Sequence, residues 1–259
     1  MKGDFLNLLQ QNGYRFEHSL SVEKHREKDA ITQGTTILAF KYNQGVLVAG
    51  DRRATAGNVV MHDRTDKVLE IDRHSVLAIA GVPATAFEIA RILDHSFKYY
   101  RRSQLQDLSL EGKVRALSRL LKENIPMALQ GIGAIAPIFT LYDIGLRTGR
   151  IYFYDILGAE FTGVEFATSG SGSPTIRGIL HYVNCWTPTP LSQMTESEAL
   201  LLSLRILETA AEFDSATGGI KKEANIFPVI KLITKEGIQE VNPTHLREIF
   251  LQGVEKTHV

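Results

Sequence analysis

The sequence predicts an α+β protein built as a four-layer αββα sandwich, in which two stacked antiparallel sheets each carry a helix layer on the outer face. Two observations predict it. Strand-like hairpins and paired helical segments alternate in the order strands, two helices, strands, two helices, strands, closing helix. Strands such as Val46 to Ala49 are apolar on both faces, which suits a sheet covered on both sides. No internal repeat with a period of roughly 20–50 residues is visible, and residues 35–259 read as one domain.

Each element follows from its local pattern. Thr35 to Phe40 is β-branched and apolar, Asn43-Gln44-Gly45 supplies a turn, and Val46 to Ala49 returns. Lys67 to Ile71, the turn Asp72-Arg73-His74 and Ser75 to Ala80 make a second hairpin. Phe87, Ile89, Ala90, Leu93 and Phe97 then fall on one helical stripe, and Val114, Leu117, Leu120, Leu121 and Ile125 on the next. Ile138 to Tyr142 and Ile151 to Tyr154 are strands joined across Arg147-Thr148-Gly149. A second helical pair follows, whose second member opens on Thr195-x-x-Glu198, a capping-box spacing, and carries Leu200, Leu201, Leu204 and Leu207. Ile226 to Ile233 and Ile238 to Val241 form the last hairpin.

Composition excludes several function classes. The 259 residues carry 29 Lys+Arg against 29 Asp+Glu, without the basic excess of a nucleic-acid binder or the acidic excess of a solvating tail. No apolar run approaches the roughly 18–20 residues that span a bilayer, so neither nucleic acid nor membrane is expected as a partner. Cys185 is the only cysteine, which fits a reducing, cytoplasmic compartment and excludes a Cys-rich zinc module. The eight histidines are scattered without ligand spacing, and neither metal nor cofactor is expected.

Residues 1–34 differ from the rest of the chain. Their one apolar cluster, Phe5-Leu6 with Leu8-Leu9, is too broken by Asp4 and Asn7 to serve as a secretory core. Val22 to Asp29 is nearly all charged or polar, and the stretch ends at Thr32-Gln33-Gly34. This reads either as a solvated leader or as a removable segment whose boundary matters.

Antiparallel register brings chemistry together. In the first hairpin the paired positions sum to about 87, which sets Thr35 opposite Arg52 with Asp51 beside it. In the second, Lys67 falls opposite Ile79 and near Gly81. If the two hairpins share one sheet end, a hydroxyl, a carboxylate, an ammonium and a flexible backbone N–H gather at one rim. Taken singly these residues have ordinary roles: strand threonines, a strand-ending aspartate, a solvated lysine, a strand-to-helix glycine turn.

In combination they resemble the proteasome β-subunits, most closely the bacterial, actinobacterial type. The matching stretches are Gly34-Thr35-Thr36-Ile37, Ala49-Gly50-Asp51-Arg52-Arg53-Ala54-Thr55-Ala56-Gly57-Asn58, Lys67-Val68, Ile79-Ala80-Gly81, Gly170-Ser171-Gly172-Ser173 and Asp214-Ser215-Ala216-Thr217-Gly218-Gly219. The resemblance implies an N-terminal nucleophile hydrolase fold and a threonine endopeptidase. It further implies a propeptide, 1–34, that the chain itself severs between Gly34 and Thr35, leaving 35–259 as the catalytic domain. It makes Thr35 the nucleophile, with its freed α-amine as base. Lys67 would lower the pKa of the nucleophilic centre, Asp51 would pair with Lys67, and Gly81 would donate to the oxyanion. Ser171, Asp214 and Thr217 would support the new terminus, with Arg53 nearby. Thr55 would pair with an extended substrate, and Ala54, Thr65, Leu69, Ile79 and Pro83 would line the first specificity pocket. None of these five is charged, so cleavage after apolar residues is expected.

One position departs from the family pattern, which commonly has alanine two residues after the oxyanion glycine. Here Pro83 has no N–H to offer a substrate backbone. The resemblance also implies partners: rings of seven β-subunits stacked back to back between rings of α-subunits, a ring ATPase feeding unfolded protein substrates, and a ubiquitin-like protein tag marking them. Two other readings share parts of the pattern: a non-catalytic structural ring subunit, and an N-terminal nucleophile amidohydrolase acting on small amides.

Overall fold

A computed structural model describes residues 35–56 and 59–255. The leader with Gly34, and Gly57-Asn58 of the matching stretches, lie outside the described residues. The first hairpin is β1 (Thr36–Tyr42) and β2 (Gly45–Gly50), paired Ile37 with Gly50 through Tyr42 with Gly45, in the register that the Asn43-Gln44 turn dictates. A short hairpin comes next, β3 (Ala54–Ala56) and β4 (Val59–His62), which strand patterning does not reveal. Its β4 strand is exposed throughout, so no alternation of apolar and polar residues marks it. The second predicted hairpin is β5 (Val68–Asp72) with β6 (Ser75–Ala78), paired Val68 with Ala78.

The helices begin at α1 (Pro83–Gln104), where Pro83 occupies the first turn and its fixed φ is suited to a helix start. Next come α2 (Leu110–Glu123), capped by the Ser109 hydroxyl, and the short α3 (Ile125–Leu129). Ile125 therefore belongs to a separate helix, because the chain breaks at Asn124. The next strands are β7 (Ile138–Asp143) and β8 (Thr148–Tyr154), so Thr148 and Gly149, expected in the turn, are already strand. After β9 (Glu160–Phe161) and β10 (Phe166–Gly170) comes the second helical pair, α4 (Ser173–Trp186) and α5 (Glu196–Phe213). Thr195 and Glu198 form the expected capping box on α5. The chain closes through β11 (Val229–Thr234), β12 (Gly237–Glu240) and α6 (Pro243–Glu255). Ile226 to Pro228 precede β11, because Lys221 and Ile226 pair with each other instead.

The strands assemble into two five-stranded antiparallel sheets, β10-β1-β2-β11-β12 and β5-β6-β7-β8-β9. Alternation along β1 and β2 explains the layering. Leu38, Phe40, Leu47 and Ala49 turn outward to meet α4, α5 and α6 through residues such as Leu180, Leu204 and Leu246. Ile37, Ala39, Val46 and Val48 turn inward against Val68, Val76, Ala78 and Ile138 of the second sheet. On that sheet's outer face Ile71, Leu77 and Phe139 pack against Leu93, Phe97 and Leu117 of α1 and α2. Every residue of β2 is buried, as a strand sandwiched on both faces must be. The expected four layers are all present.

The two hairpins do not share one sheet. The β1–β2 hairpin belongs to the first sheet and the β5–β6 hairpin to the second. They converge because the sheets stack with these ends together, so the site spans the inter-sheet seam and is not confined to one rim.

Candidate active site

At this seam the chain entering β1 carries Thr35, buried at 6% exposure, and the chain leaving β2 carries Asp51, fully buried. Lys67 stands just before β5 and is also buried. Its ammonium Nζ donates to Asp51 Oδ1 at 2.7 Å and to the Arg53 carbonyl at 2.5 Å. Asp51 is satisfied by four donors: Thr36 N–H at 2.9 Å shares Oδ1 with the lysine, while Arg53 N–H and Gly218 N–H, both at 2.9 Å, reach Oδ2. These donors satisfy both oxygens of the buried carboxylate within the protein. Burial pushes the Lys67 pKa below its ordinary value, while the Asp51 charge and hydrogen bond pull against that fall. Among the described residues, Asp51 and the Arg53 carbonyl are the protein acceptors of this ammonium, and Lys67 lines a pocket together with Thr35.

That pocket holds about 20 Å³, room for roughly one water molecule. Thr35, Ala54, Thr55, Thr65, Lys67, Ile79, Gly81, Pro83 and Phe87 line it. Of the expected lining residues, Leu69 is the exception: it packs against the outer cluster beneath α1. Phe87 belongs by periodicity to the helical stripe, yet it both packs on that cluster and faces the pocket. Its spacing from Pro83, one helical turn, is the signal that could have placed it there.

Gly81 has φ +110°, and a Cβ there would stand 2.2 Å from the Ala134 carbonyl. The 80–82 segment is clamped to 134–136 by Val82 N–H to Ala134 O at 2.9 Å and Ala136 N–H to Ala80 O at 2.8 Å. Among the described residues no acceptor takes the Gly81 N–H, and the residue borders the pocket.

A second carboxylate lies on the other side of Thr35. Asp214, at the C-cap of α5, accepts from Ser171 Oγ at 2.6 Å and Thr217 Oγ1 at 2.5 Å on one oxygen, and from Ala216 N–H at 3.1 Å on the other. Partial burial acts to raise its pKa, but the Ser171 and Thr217 hydrogen bonds outweigh it and hold the carboxyl below the usual range. Ser171 N–H also donates to the Thr35 carbonyl at 3.0 Å. Gly170, at φ +96°, makes room for that carbonyl, since a Cβ there would stand 1.6 Å from it. The Arg53 guanidinium closes the loop from the solvent side, donating to the carbonyls of Ser215 at 2.9 Å and Thr217 at 3.3 Å.

Among the described residues, the site residues expected from the sequence thus stand around Thr35, Leu69 apart; Gly34 lies outside them. Among the described residues no group of His, Cys, Asp and Glu could hold a metal ion, and no helix is long and apolar enough to cross a membrane.

The four-layer sandwich is the fold of the N-terminal nucleophile hydrolases, and comparison with known proteins narrows it. The family described as "Proteasome subunit" matches residues 31–222. A protein called proteasome subunit beta 2, from Thermomonospora curvata, is 39% identical over 219 residues, covering 85% of this chain and 76% of its own. Proteasome subunit beta of Acidimicrobium ferrooxidans is 35% identical over 222 residues, covering 86% and 79%. That of Streptomyces griseus is 36% identical over 216 residues, covering 83% and 74%. The chain belongs to the proteasome subunit family, as a β subunit of the bacterial kind.

Proposed function

We propose that this chain is a threonine endopeptidase of a proteasome core, with Thr35 as its nucleophile. The observation that carries this reading is the convergence on one pocket of Thr35, the buried Lys67–Asp51 pair and the Gly81 N–H. A threonine hydroxyl is a weak nucleophile at its own pKa and needs a base. Cutting between Gly34 and Thr35 supplies one. The freed α-amine has a reference pKa of about 7.7–8.0, near working pH. Residues 1–34 are then a propeptide whose removal switches the enzyme on, and 35–259 the catalytic domain.

In each turnover the Thr35 hydroxyl attacks a peptide carbonyl and its proton passes to the α-amine, directly or through a water. The carbonyl oxygen becomes an oxyanion that the Gly81 N–H stabilises, a contribution typically of about 3–4 kcal/mol. The amine protonates the leaving nitrogen, and a Thr35 ester remains. Water, deprotonated by the same amine, attacks the ester, and the amine returns that proton to the departing Thr35 oxygen as the new carboxylic acid leaves. Lys67, held by Asp51, places a positive charge beside the reacting oxygen, and Ser171, Asp214, Thr217 and Arg53 orient the terminus. Thr55 on β3 pairs with the extended substrate. The uncharged side chains of Ala54, Thr55, Thr65, Ile79, Pro83 and Phe87 in the pocket favour cleavage after apolar residues.

The relatives' names support assembly with further proteasome subunits. The proposed particle stacks rings of seven β-subunits between α-subunit rings in the cytoplasm. A ring ATPase and a ubiquitin-like tag would deliver unfolded proteins. Enclosure of this kind keeps an unselective peptidase from its own cell.

Intact mass and peptide turnover of wild type and Thr35→Ala test the reading. Wild type should lose residues 1–34 and hydrolyse peptides, whereas Thr35→Ala should keep its leader and be inert. Turnover retained in Thr35→Ala rejects the assignment, and an intact, inert wild type within assembled rings favours a structural subunit.

A further inference from the structure

Thr36, the residue after the proposed nucleophile, has no part in the proposed reaction, yet its backbone and its side chain are both hydrogen-bonded within the site. It is fully buried. Its N–H donates to Asp51 Oδ1 at 2.9 Å, the same oxygen that takes the Lys67 ammonium. Its hydroxyl points the other way, 2.6 Å from Thr217 Oγ1, and accepts from Gly172 N–H at 3.0 Å. The direction of the hydroxyl chain is set by what lies at its end. Thr217 Oγ1 gives its one proton to the Asp214 carboxylate at 2.5 Å. The Thr36–Thr217 contact therefore carries the Thr36 proton, and both hydroxyls have one donor and one acceptor role filled.

We propose that Thr36 is a positioning residue, which ties the Asp51–Lys67 side of the site to the Asp214–Ser171 side and fixes Thr35 between them. Its backbone reads one carboxylate and its side chain reads the other, through Thr217. The strand residue next to Thr35 is thereby locked at both ends. Removing the hydroxyl leaves Gly172 N–H without an acceptor in a buried place and frees Thr217 Oγ1 to leave Asp214. Asp214 would then hold Ser171 with one fewer anchor, and Ser171 N–H is the donor on the Thr35 carbonyl. The Thr36 hydroxyl is hydrogen-bonded to Thr217 and Gly172, neither of which lines the pocket, so the loss should fall on the reaction and not on substrate binding.

This inference rests on Thr35 being the nucleophile, and its test separates the two. Full-length chain is expressed and followed through assembly as wild type, Thr36→Val, Thr36→Ser, Thr217→Val and the Thr36→Val/Thr217→Val double variant, with Thr35→Ala alongside. The readouts are kcat and KM on a fluorogenic peptide and the rate of leader loss by mass. Thr36→Val should lower kcat about 10- to 100-fold. Its KM should stay within about twofold of wild type, and its leader loss should slow. Thr36→Ser, which keeps the hydroxyl, should restore most of the turnover. Because Thr36 acts through Thr217, the double variant should lose little more than the worse single variant. If Thr36→Val does not fold, Thr36→Ala, which brings no methyl against Thr217, carries the same comparison. Wild-type kcat in the variant lacking the hydroxyl overturns the proposal, as does a Thr36→Ser loss equal to that of Thr36→Val, or additive losses in the double variant. Turnover by Thr35→Ala would instead overturn the nucleophile assignment.

Discussion

Lys67 and Asp51 form an ion pair 2.7 Å long with side-chain exposures of 3% and 0%, in which the carboxylate is far better supplied with partners than the ammonium. Three backbone N–H groups, of Thr36, Arg53 and Gly218, remain on Asp51 if the lysine is taken away. The reverse is not true. Asp51→Ala strands a buried ammonium together with those three donors, and it should cost about 3–5 kcal/mol of stability. Lys67→Met, similar in length and apolar, should cost no more than about 1–3 kcal/mol. Both should abolish peptide turnover. Denaturant unfolding of the two variants checks the order, and equal losses would mean that the backbone donors do not sustain Asp51.

Pro83 sits at the first position of α1, where an N–H has no partner within the helix. Pro83→Ala therefore exposes a donor at the pocket with little cost to the helix. A substrate backbone that uses it gains about 0.5–1.5 kcal/mol. The expected result is a KM about two- to tenfold lower with kcat nearly unchanged, read from steady-state peptide kinetics.

Phe87 lines the pocket from one turn along the same helix, and the space left is about 20 Å³. Phe87→Ala should open it to larger side chains. In a peptide library varied at the residue before the cut, preference should move from small or medium apolar residues towards aromatic ones. An unchanged profile would show that another wall sets the limit.

Asp214 supplies the pH dependence. Its folded pKa lies below the ordinary 3.8, so its hydrogen bonds to Ser171 and Thr217 add stability that is complete above that value. The contribution disappears as pH falls through the depressed pKa. Asp214→Asn should be less stable than wild type at neutral pH, and the gap should shrink below about pH 4. Unfolding measured in steps from neutral pH to about pH 2.5 tests this, and a constant gap would contradict it.

Much of the fold and site is legible in the residues because antiparallel register is arithmetic. The Asn43-Gln44-Gly45 turn fixes Ile37 opposite Gly50, and Asp51 then has one place to be. The parts that stay hidden have no periodic mark. The exposed β4 carries no alternation, and β10 is partly buried, with Gly170 and two hydroxyl residues among its five. The turn after Phe40 also says nothing about which sheet the next hairpin will join, and so register alone merges the seam between sheets into one rim. Leu69 and Phe87 escape sequence reasoning for a related cause. Both pack on the cluster between α1 and β5, and the way that helix seats on that strand turns Phe87 and not Leu69 towards the cavity.

The division of the site between the two sheets has a consequence for how the chain comes into being. The first sheet alone holds the hydroxyl and the carboxylate, and the second alone holds the ammonium and the oxyanion donor. A nascent chain with either half formed is a blunt instrument. The edge exists only once the two halves have closed on each other, so the proposed self-severance would certify that folding is complete.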